Sequence, residues 1–200
     1  MSMESEIGNE NGVGSLEPLA ERLAEGDPGA PRELVERHHA ELHRYALGLL
    51  CDAPAAEDAV QEAFERAFVA LGKYPKERIG TLSLRPWLYR IVLNVVRNVW
   101  RDSRRELSVA EPPEPDERFG AGSSTTSGSN REAWLDTLEA LRRLSERQRV
   151  AVSLRYLGDL PYAGISEVTG WPENTCKTLV RRGLRRLGAL LDESEEKGGR

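Results

Sequence analysis

The stretch Pro172-Glu-Asn-Thr-Cys-Lys-Thr-Leu-Val-Arg-Arg-Gly-Leu-Arg-Arg-Leu-Gly-Ala-Leu-Leu191 decides how the rest of the chain is read. At helical pitch Cys176, Val180, Leu184, Leu187 and Leu191 share one face. Thr178, Arg181, Arg182 and Arg185 point the other way, with Lys177 and Arg186 on the flanks. A helix that buries one side and offers guanidinium groups on the other suits the major groove of duplex DNA. The residues leading into it, from Leu144, complete a helix-turn-helix. Ser145 with Gln148 is a capping-box signature, and Pro161 and Pro172 fall at first-turn positions.

Working outward, the net charge of -5 argues against a nucleic-acid binder until its distribution is read. Residues 32–105 carry about +3 and residues 142–187 about +6, whereas 1–31 carry about -6 and 106–130 about -4. Two basic blocks are thus separated and flanked by acidic ones. No run of about 18 apolar residues is present, so no transmembrane helix is expected. Met1 to Ser15 is polar and acidic, which is no secretory signal. Cys51 and Cys176 are isolated and read as ordinary, mostly buried thiols. The chain is expected to be cytoplasmic.

Helical periodicity dominates, and no segment alternates as a strand. The fold class is all-α: two small helical domains joined by a flexible acidic linker. Helices are expected over Leu16–Glu25, from Pro31 to about Leu50, from Ala55 to about Leu71, and from Leu84 to about Arg105. Residues 72–83, with Pro75 and Gly80, form a loop. Residues 111–130 hold three prolines, several acids and a Gly/Ser/Thr run, too little apolar surface to fold. The divisions are a disordered tail at 1–15, a first domain at 16–107, the linker at 108–130, a second domain at 131–191 and a disordered tail at 192–200.

The fourth of these helices leaves two readings open. Leu84, Leu88, Ile91, Val95 and Val99 form a buried stripe, and Tyr89, Leu93, Arg97, Trp100 and Arg104 lie opposite. Aromatic residues among arginines can stack bases and neutralise phosphates, as single-stranded DNA requires. Equally, the helix can be buried on nearly all sides with arginines reaching outward. On the third helix Asp58, Glu62 and Glu65 cluster away from the apolar stripe, where acids stabilise a helix dipole or offer a docking face. His39 and His43 have an i, i+4 spacing but no third ligand nearby, so no metal site is expected. Without a phosphate-binding Gly-rich loop or a nucleophile motif, neither an enzyme nor a cofactor is implied.

Four motifs in order carry a resemblance: Ala56-Glu-Asp-Ala-Val-Gln-Glu-Ala-Phe64, Pro86-Trp-Leu-Tyr-Arg-Ile-Val-Leu-Asn94, Leu144-Ser-Glu-Arg-Gln-Arg149 and Tyr162-Ala-Gly-Ile-Ser-Glu-Val-Thr-Gly-Trp-Pro-Glu-Asn-Thr-Cys-Lys177. From Leu16 to Leu191 the chain resembles a bacterial extracytoplasmic-function (ECF) sigma factor, the small two-domain branch of the sigma-70 family. The resemblance implies a sigma region 2 in the first domain and a sigma region 4 in the second. Its partners would be RNA polymerase core, promoter DNA and, as for many members, a cognate anti-sigma factor. The free protein would be a monomer with no membrane insertion of its own.

The resemblance also implies site residues. Glu57, Asp58, Gln61, Glu62 and Phe64 would lie in the surface that docks on the polymerase. Lys73, Trp87, Tyr89, Arg90, Asn94, Arg97 and Arg101 would engage the minus-ten element, where a base is taken out of the stack into a pocket. Thr175, Lys177, Thr178, Leu179, Arg181, Arg182, Arg185 and Arg186 would read the minus-thirty-five element as duplex. Gly164 stands where glutamate is usual and Thr178-Leu179 where serine-arginine is frequent. Leu179 either meets a thymine methyl or packs on a neighbouring helix. The competing reading is a stand-alone helix-turn-helix regulator, which leaves the acidic third and aromatic-basic fourth helices unexplained.

Overall fold

The computed structural model describes residues 18–109 and 128–198. Within them the chain forms nine helices and no strand. Pro18 is extended, so α1 begins at Leu19 rather than Leu16 and ends at Glu25, where Gly26 turns left-handed with φ 80°. Arg22 then clamps the turn by pairing with Asp27 at 2.7 Å and with Glu33. α2 spans Ala30–Leu50 with Pro31 in its first turn, the position where a missing N–H costs nothing. It stops at Cys51, whose φ is 55°.

Asp52 caps α3 (Ala53–Leu71) by accepting a hydrogen bond from the Ala55 amide at 2.8 Å. The inward face of α3 is Ala56, Ala59, Val60, Ala63, Phe64, Ala67 and Leu71, small enough at four positions to lie close to its neighbours. The expected loop over 72–83 contains a single short helix, α4 (Lys76–Gly80), pinned by the buried Ile79. α1 and α4 pack together while α2, α3 and α5 (Leu84–Val109) form the body of this first bundle.

In the second bundle α6 (Gly128–Arg142), α7 (Glu146–Tyr156) and α8 (Tyr162–Thr169) pack around α9 (Glu173–Gly198). The capping box at the start of α7 forms as read: the Ser145 amide and hydroxyl donate to the Gln148 side-chain oxygen at 3.3 and 2.9 Å. The expected tail over 192–200 is instead helical to Gly198, because its Glu and Lys residues favour helix and no proline interrupts them. The expected linker is helical at both of its edges, since α5 reaches Val109 and α6 starts at Gly128. The rest of the linker and the expected tail at 1–15 lie outside the described residues.

The two bundles share a seam. α2 meets α6 and α7, α5 meets α8, and one apolar cluster runs from Leu34 and Leu88 in the first bundle to Leu154 and Ile165 in the second. This packing decides between the two readings of α5 in favour of the helix buried on nearly all sides. Leu88, Tyr89, Val92, Leu93, Val95 and Val96 are all buried, Tyr89 and Leu93 completely, so the middle turns of the helix are enclosed on nearly every side. Tyr89 and Leu93 lie opposite the expected stripe, and Tyr45 and Glu41 of α2, with Gly158, meet Tyr89 there. On α9, Leu184 is 36% exposed while Leu190 is buried, which shifts the inward stripe to Cys176, Val180, Leu187 and Leu190.

Candidate polymerase and promoter interfaces

On α3, Glu57, Asp58 and Gln61 are exposed and Glu62 is half-buried. They form an acidic ridge whose ends are tied locally. Glu57 faces the Nε2 atoms of His39 and His43 at 3.1 and 3.7 Å, and Glu62 pairs with Arg66. Phe64 does not belong to that exposed ridge. It is 6% exposed, with its ring stacked between His39 and Phe68 at centroid distances of 6.3 and 6.4 Å. Its motif position is filled by a residue that supports the ridge from below. At the far end of α3, Val69 is 58% exposed and borders an open groove of about 450 Å³ with Glu62, Arg66, Lys73 and Tyr74. The sequence offered no signal for this groove, because Val69 falls outside both the acidic cluster and the apolar stripe.

The minus-ten candidates fall into two sets. Trp87, half-buried, meets Tyr74 with the rings tilted by 56° and their centroids 6.3 Å apart, and Arg78 lies over the Tyr74 ring at 3.7 Å. Trp87 and Arg90 line a cavity of about 260 Å³ together with Arg78, Leu82, Ser83 and Glu167 of α8. Asn94, Arg97 and Arg101 are exposed further along α5, and Lys73 is exposed at the end of α3. Tyr89 belongs to neither set. Its ring lies fully buried against Tyr45 at 5.0 Å, and burial raises its phenol above the usual value.

Two residues that sequence reasoning passed over hold this region together. Glu41 of α2 accepts hydrogen bonds from Arg85 Nε at 2.9 Å and from His38 Nδ1 at 2.6 Å. Burial alone would raise the Glu41 carboxyl, but the bonds from His38 and Arg85 outweigh it and hold the pKa at about 2 against an ordinary 4.5. Arg85 extends from Glu41 across the seam to the Gly158 carbonyl at 2.7 Å. The only sequence signal was the i, i+4 spacing of Arg85 and Tyr89, which share both acceptors.

On α9 the expected reading face is open. Lys177, Arg181, Arg182, Arg185 and Arg186 are exposed, and the three arginines Arg182, Arg185 and Arg186 edge a shallow groove of about 300 Å³. Thr175 is half-buried, and Thr178 spends its hydroxyl on the Asn174 carbonyl at 2.8 Å. Leu179 packs against the apolar cluster, so the helix-packing alternative accounts for it without a thymine. Burial raises the thiols of both cysteines, Cys51 to about 11, which leaves them protonated and unreactive near neutral pH. Among the described residues no group of His, Cys, Asp and Glu is arranged to hold a metal ion, and no helix is long and apolar enough to cross a membrane.

Residues 34–106 match the family described as Sigma-70 region 2, and residues 135–187 match Sigma-70, region 4. An ECF RNA polymerase sigma factor of Mycobacterium tuberculosis, SigL, is 33% identical over 167 residues, covering 81% of this chain and 89% of the relative. The chain belongs to the ECF RNA polymerase sigma factors. The Streptomyces coelicolor ECF sigma factor BldN is 32% identical over 184 residues, 88% of this chain, which spans 65% of that longer relative. In structure, the sigma factor RpoE of Bartonella quintana, solved in complex with the anti-sigma factor NepR, superposes with a TM-score of 0.63 at 23% identity over 80% of this chain and 96% of that one. That likeness concerns the fold. As a sigma factor, the protein directs RNA polymerase to promoters. The acidic ridge, the cavity beside Trp87 and the arginine face are three separate surfaces of this chain.

Proposed function

We propose that this ECF sigma factor divides initiation among those three surfaces. The α3 ridge of Glu57, Asp58, Gln61 and Glu62, stiffened by Phe64 beneath it, docks on the core polymerase. Trp87 and Arg90 receive a base of the opened minus-ten strand in the cavity between α4 and α5. Lys73, Arg97 and Arg101 neutralise the strand's phosphates on either side, and Asn94 donates a hydrogen bond to the strand. Unpairing a base costs a few kcal/mol, which stacking on an aromatic side chain at about 1–3 kcal/mol per base offsets. The arginines of α9, with Lys177, read the minus-thirty-five element in the major groove, while Thr175, Thr178 and Leu179 set the helix in place. The protein works in the cytoplasm, performs no chemistry of its own, and pairs with an anti-sigma factor as its Bartonella quintana relative does.

The observation that carries this reading is the coexistence in one chain of a half-enclosed aromatic cavity and an open stripe of four arginines. The first suits an unstacked base and the second suits intact duplex, and a factor that opens promoters needs both. In vitro transcription with purified bacterial core polymerase on a promoter-fragment library tests it. Start sites that appear only with the protein, and weaken with Trp87→Ala, are expected. Binding to duplex DNA without comigration with core and without new starts would instead establish a stand-alone regulator.

A further inference from the structure

Asn174, in the first turn of α9, is exposed, and its side-chain amide bonds to no group among the described residues. At helical pitch it lines up with Thr178, Arg181 and Arg185, four, seven and eleven residues further on. It therefore continues the arginine face to the N-terminal end of the helix. In a helix-turn-helix, that end of the recognition helix reaches the base edges. The other side chains of the turn are committed. Glu173 faces Lys177 at 4.0 Å, Thr175 is half-buried and Cys176 is buried. One turn on, Thr178 gives its hydroxyl proton to the Asn174 carbonyl at 2.8 Å, and Leu179 packs on the apolar cluster. Asn174 is the polar side chain of that turn left open.

The turn that delivers Asn174 is fixed from several directions. Gly170 ends α8 in the left-handed region, with φ 74°. The Ser166 hydroxyl donates to the Trp171 carbonyl at 2.6 Å, and the Trp171 amide donates to the Thr169 hydroxyl at 3.2 Å. The Arg147 guanidinium of α7 lies over the Trp171 ring at 4.9 Å. Behind the reading face, a Cβ on Gly183 would lie 2.6 Å from Val152 Cγ2, so α9 seats directly on α7. Base discrimination needs such a seat, because a reading group must be held within about 0.5 Å of its productive geometry. The chemistry of the amide then narrows the target. It presents a donor and an acceptor side by side, which match the N7 acceptor and N6 donor of adenine. A carboxylate offers acceptors alone, and a guanidinium donors alone.

We propose that Asn174 is a specificity-determining residue of this sigma factor, its amide reading one adenine of the minus-thirty-five element in the major groove. The proposal rests on the assignment of α9 to that element. The arginines further along the same face supply guanine and phosphate contacts, and Asn174 adds the base that they cannot select.

A swap of hydrogen-bonding pattern tests this. The full chain with core polymerase transcribes a promoter library whose minus-thirty-five element is randomised. The parent protein is expected to favour adenine at one position by about 5- to 150-fold, the range that a bidentate pair carries. Asn174→Ala should flatten the preference at that position and leave the others as they are. Asn174→Asp keeps the size of the side chain but presents acceptors alone. It should move the preference at the same position to cytosine, whose major-groove group is the N4 donor. An aspartate in a first turn suits the helix dipole, so this variant keeps its fold, which thermal denaturation verifies. A merely structural role for Asn174 would leave the base profile where it is. Unchanged profiles in both variants, or a uniform loss across all sequences, would overturn the proposal. If Arg182→Ala with Arg185→Ala still alters the profile in that case, α9 remains the reading helix and the role of Asn174 alone is lost. A parent protein with no base preference in the element would sink the α9 assignment and the proposal with it.

Discussion

Arg85 and Arg90 of α5 donate to the carbonyls of Gly158 and Glu167, whereas Arg181, Arg182, Arg185 and Arg186 of α9 stand exposed with no ion pair among the described residues. Both helices interleave arginines with an apolar stripe, and on helical pitch alone they are the same kind of object. The difference lies in what packs above them. α9 is covered on one side, by α6, α7 and α8, and its arginines project from the other. α5 packs against α2, α3 and α8 together. An amphipathic pattern therefore identifies which residues travel together, and the neighbouring elements decide whether their face is available.

The comparison breaks most readily on α9. Arg182→Ala with Arg185→Ala should lower transcription from a cognate promoter by roughly 10- to 100-fold, because a guanidinium on a guanine edge is worth about 1–3 kcal/mol. A salt titration of holoenzyme binding separates the two roles. Losing a base contact relaxes sequence preference, while losing a phosphate contact lowers the salt slope by about one unit. If neither quantity changes, the open face is not the reading face.

The covered helix answers to Glu41. Its carboxyl is held at about 2 in the folded protein against 4.5, so the unfolded chain binds the extra proton over that interval. Its contribution, about 3 kcal/mol, is complete above pH 4.5 and disappears as the pH falls towards 2. Chemical denaturation of Glu41→Gln should accordingly show a loss of that size at pH 7 that shrinks below pH 4. An equal loss at both pH values would mean that packing, rather than charge, makes Glu41 matter.

Two smaller effects calibrate the second bundle alone. Removing the capping hydroxyl with Ser145→Ala should cost about 1 kcal/mol, read as a lowered denaturation midpoint. Gly164 sits inside α8, where a Cβ would meet Pro161 Cδ at 3.4 Å and Leu160 at 3.6 Å, close to ordinary contact. Gly164→Ala should then raise stability by about 0.5–1 kcal/mol without altering the promoter profile. Destabilisation would mean that Pro161 cannot give the last few tenths of an ångström.

Much of the site was legible in the chain because it depends on local order. The capping box at Ser145 needs only a residue three positions on, and the arginine face of α9 needs only helical pitch. Of the acidic cluster that the α3 pattern set away from the apolar stripe, Asp58 and Glu65 are exposed and Glu62 is half-buried. Phe64 was legible both as a motif position and as part of the inward stripe of α3, and packing was one of the two readings open to Leu179, whereas Tyr89 was a motif position that periodicity placed opposite the apolar stripe. Motif membership reports that a residue type is needed there, without saying whether it touches a partner or props up one that does. Glu41 and Gly48 carried no signal because their partners, Arg85 and Ser153, lie more than forty and one hundred positions away.

Sequence by itself determined the helices, the order of the two regions, the segregation of charge and the family. These follow from periodicity, capping chemistry and motif spacing, all of which act over a few residues at a time. Only the tertiary structure decided that the middle turns of α5 are enclosed, that Glu41 and Arg85 bridge to Gly158, and that nothing packs over the arginines of α9. Those outcomes come from two bundles meeting across a seam, where small residues such as Gly48 set the approach and distant carbonyls find the guanidinium groups. No local pattern encodes that meeting, because each helix would form equally well on either side of it.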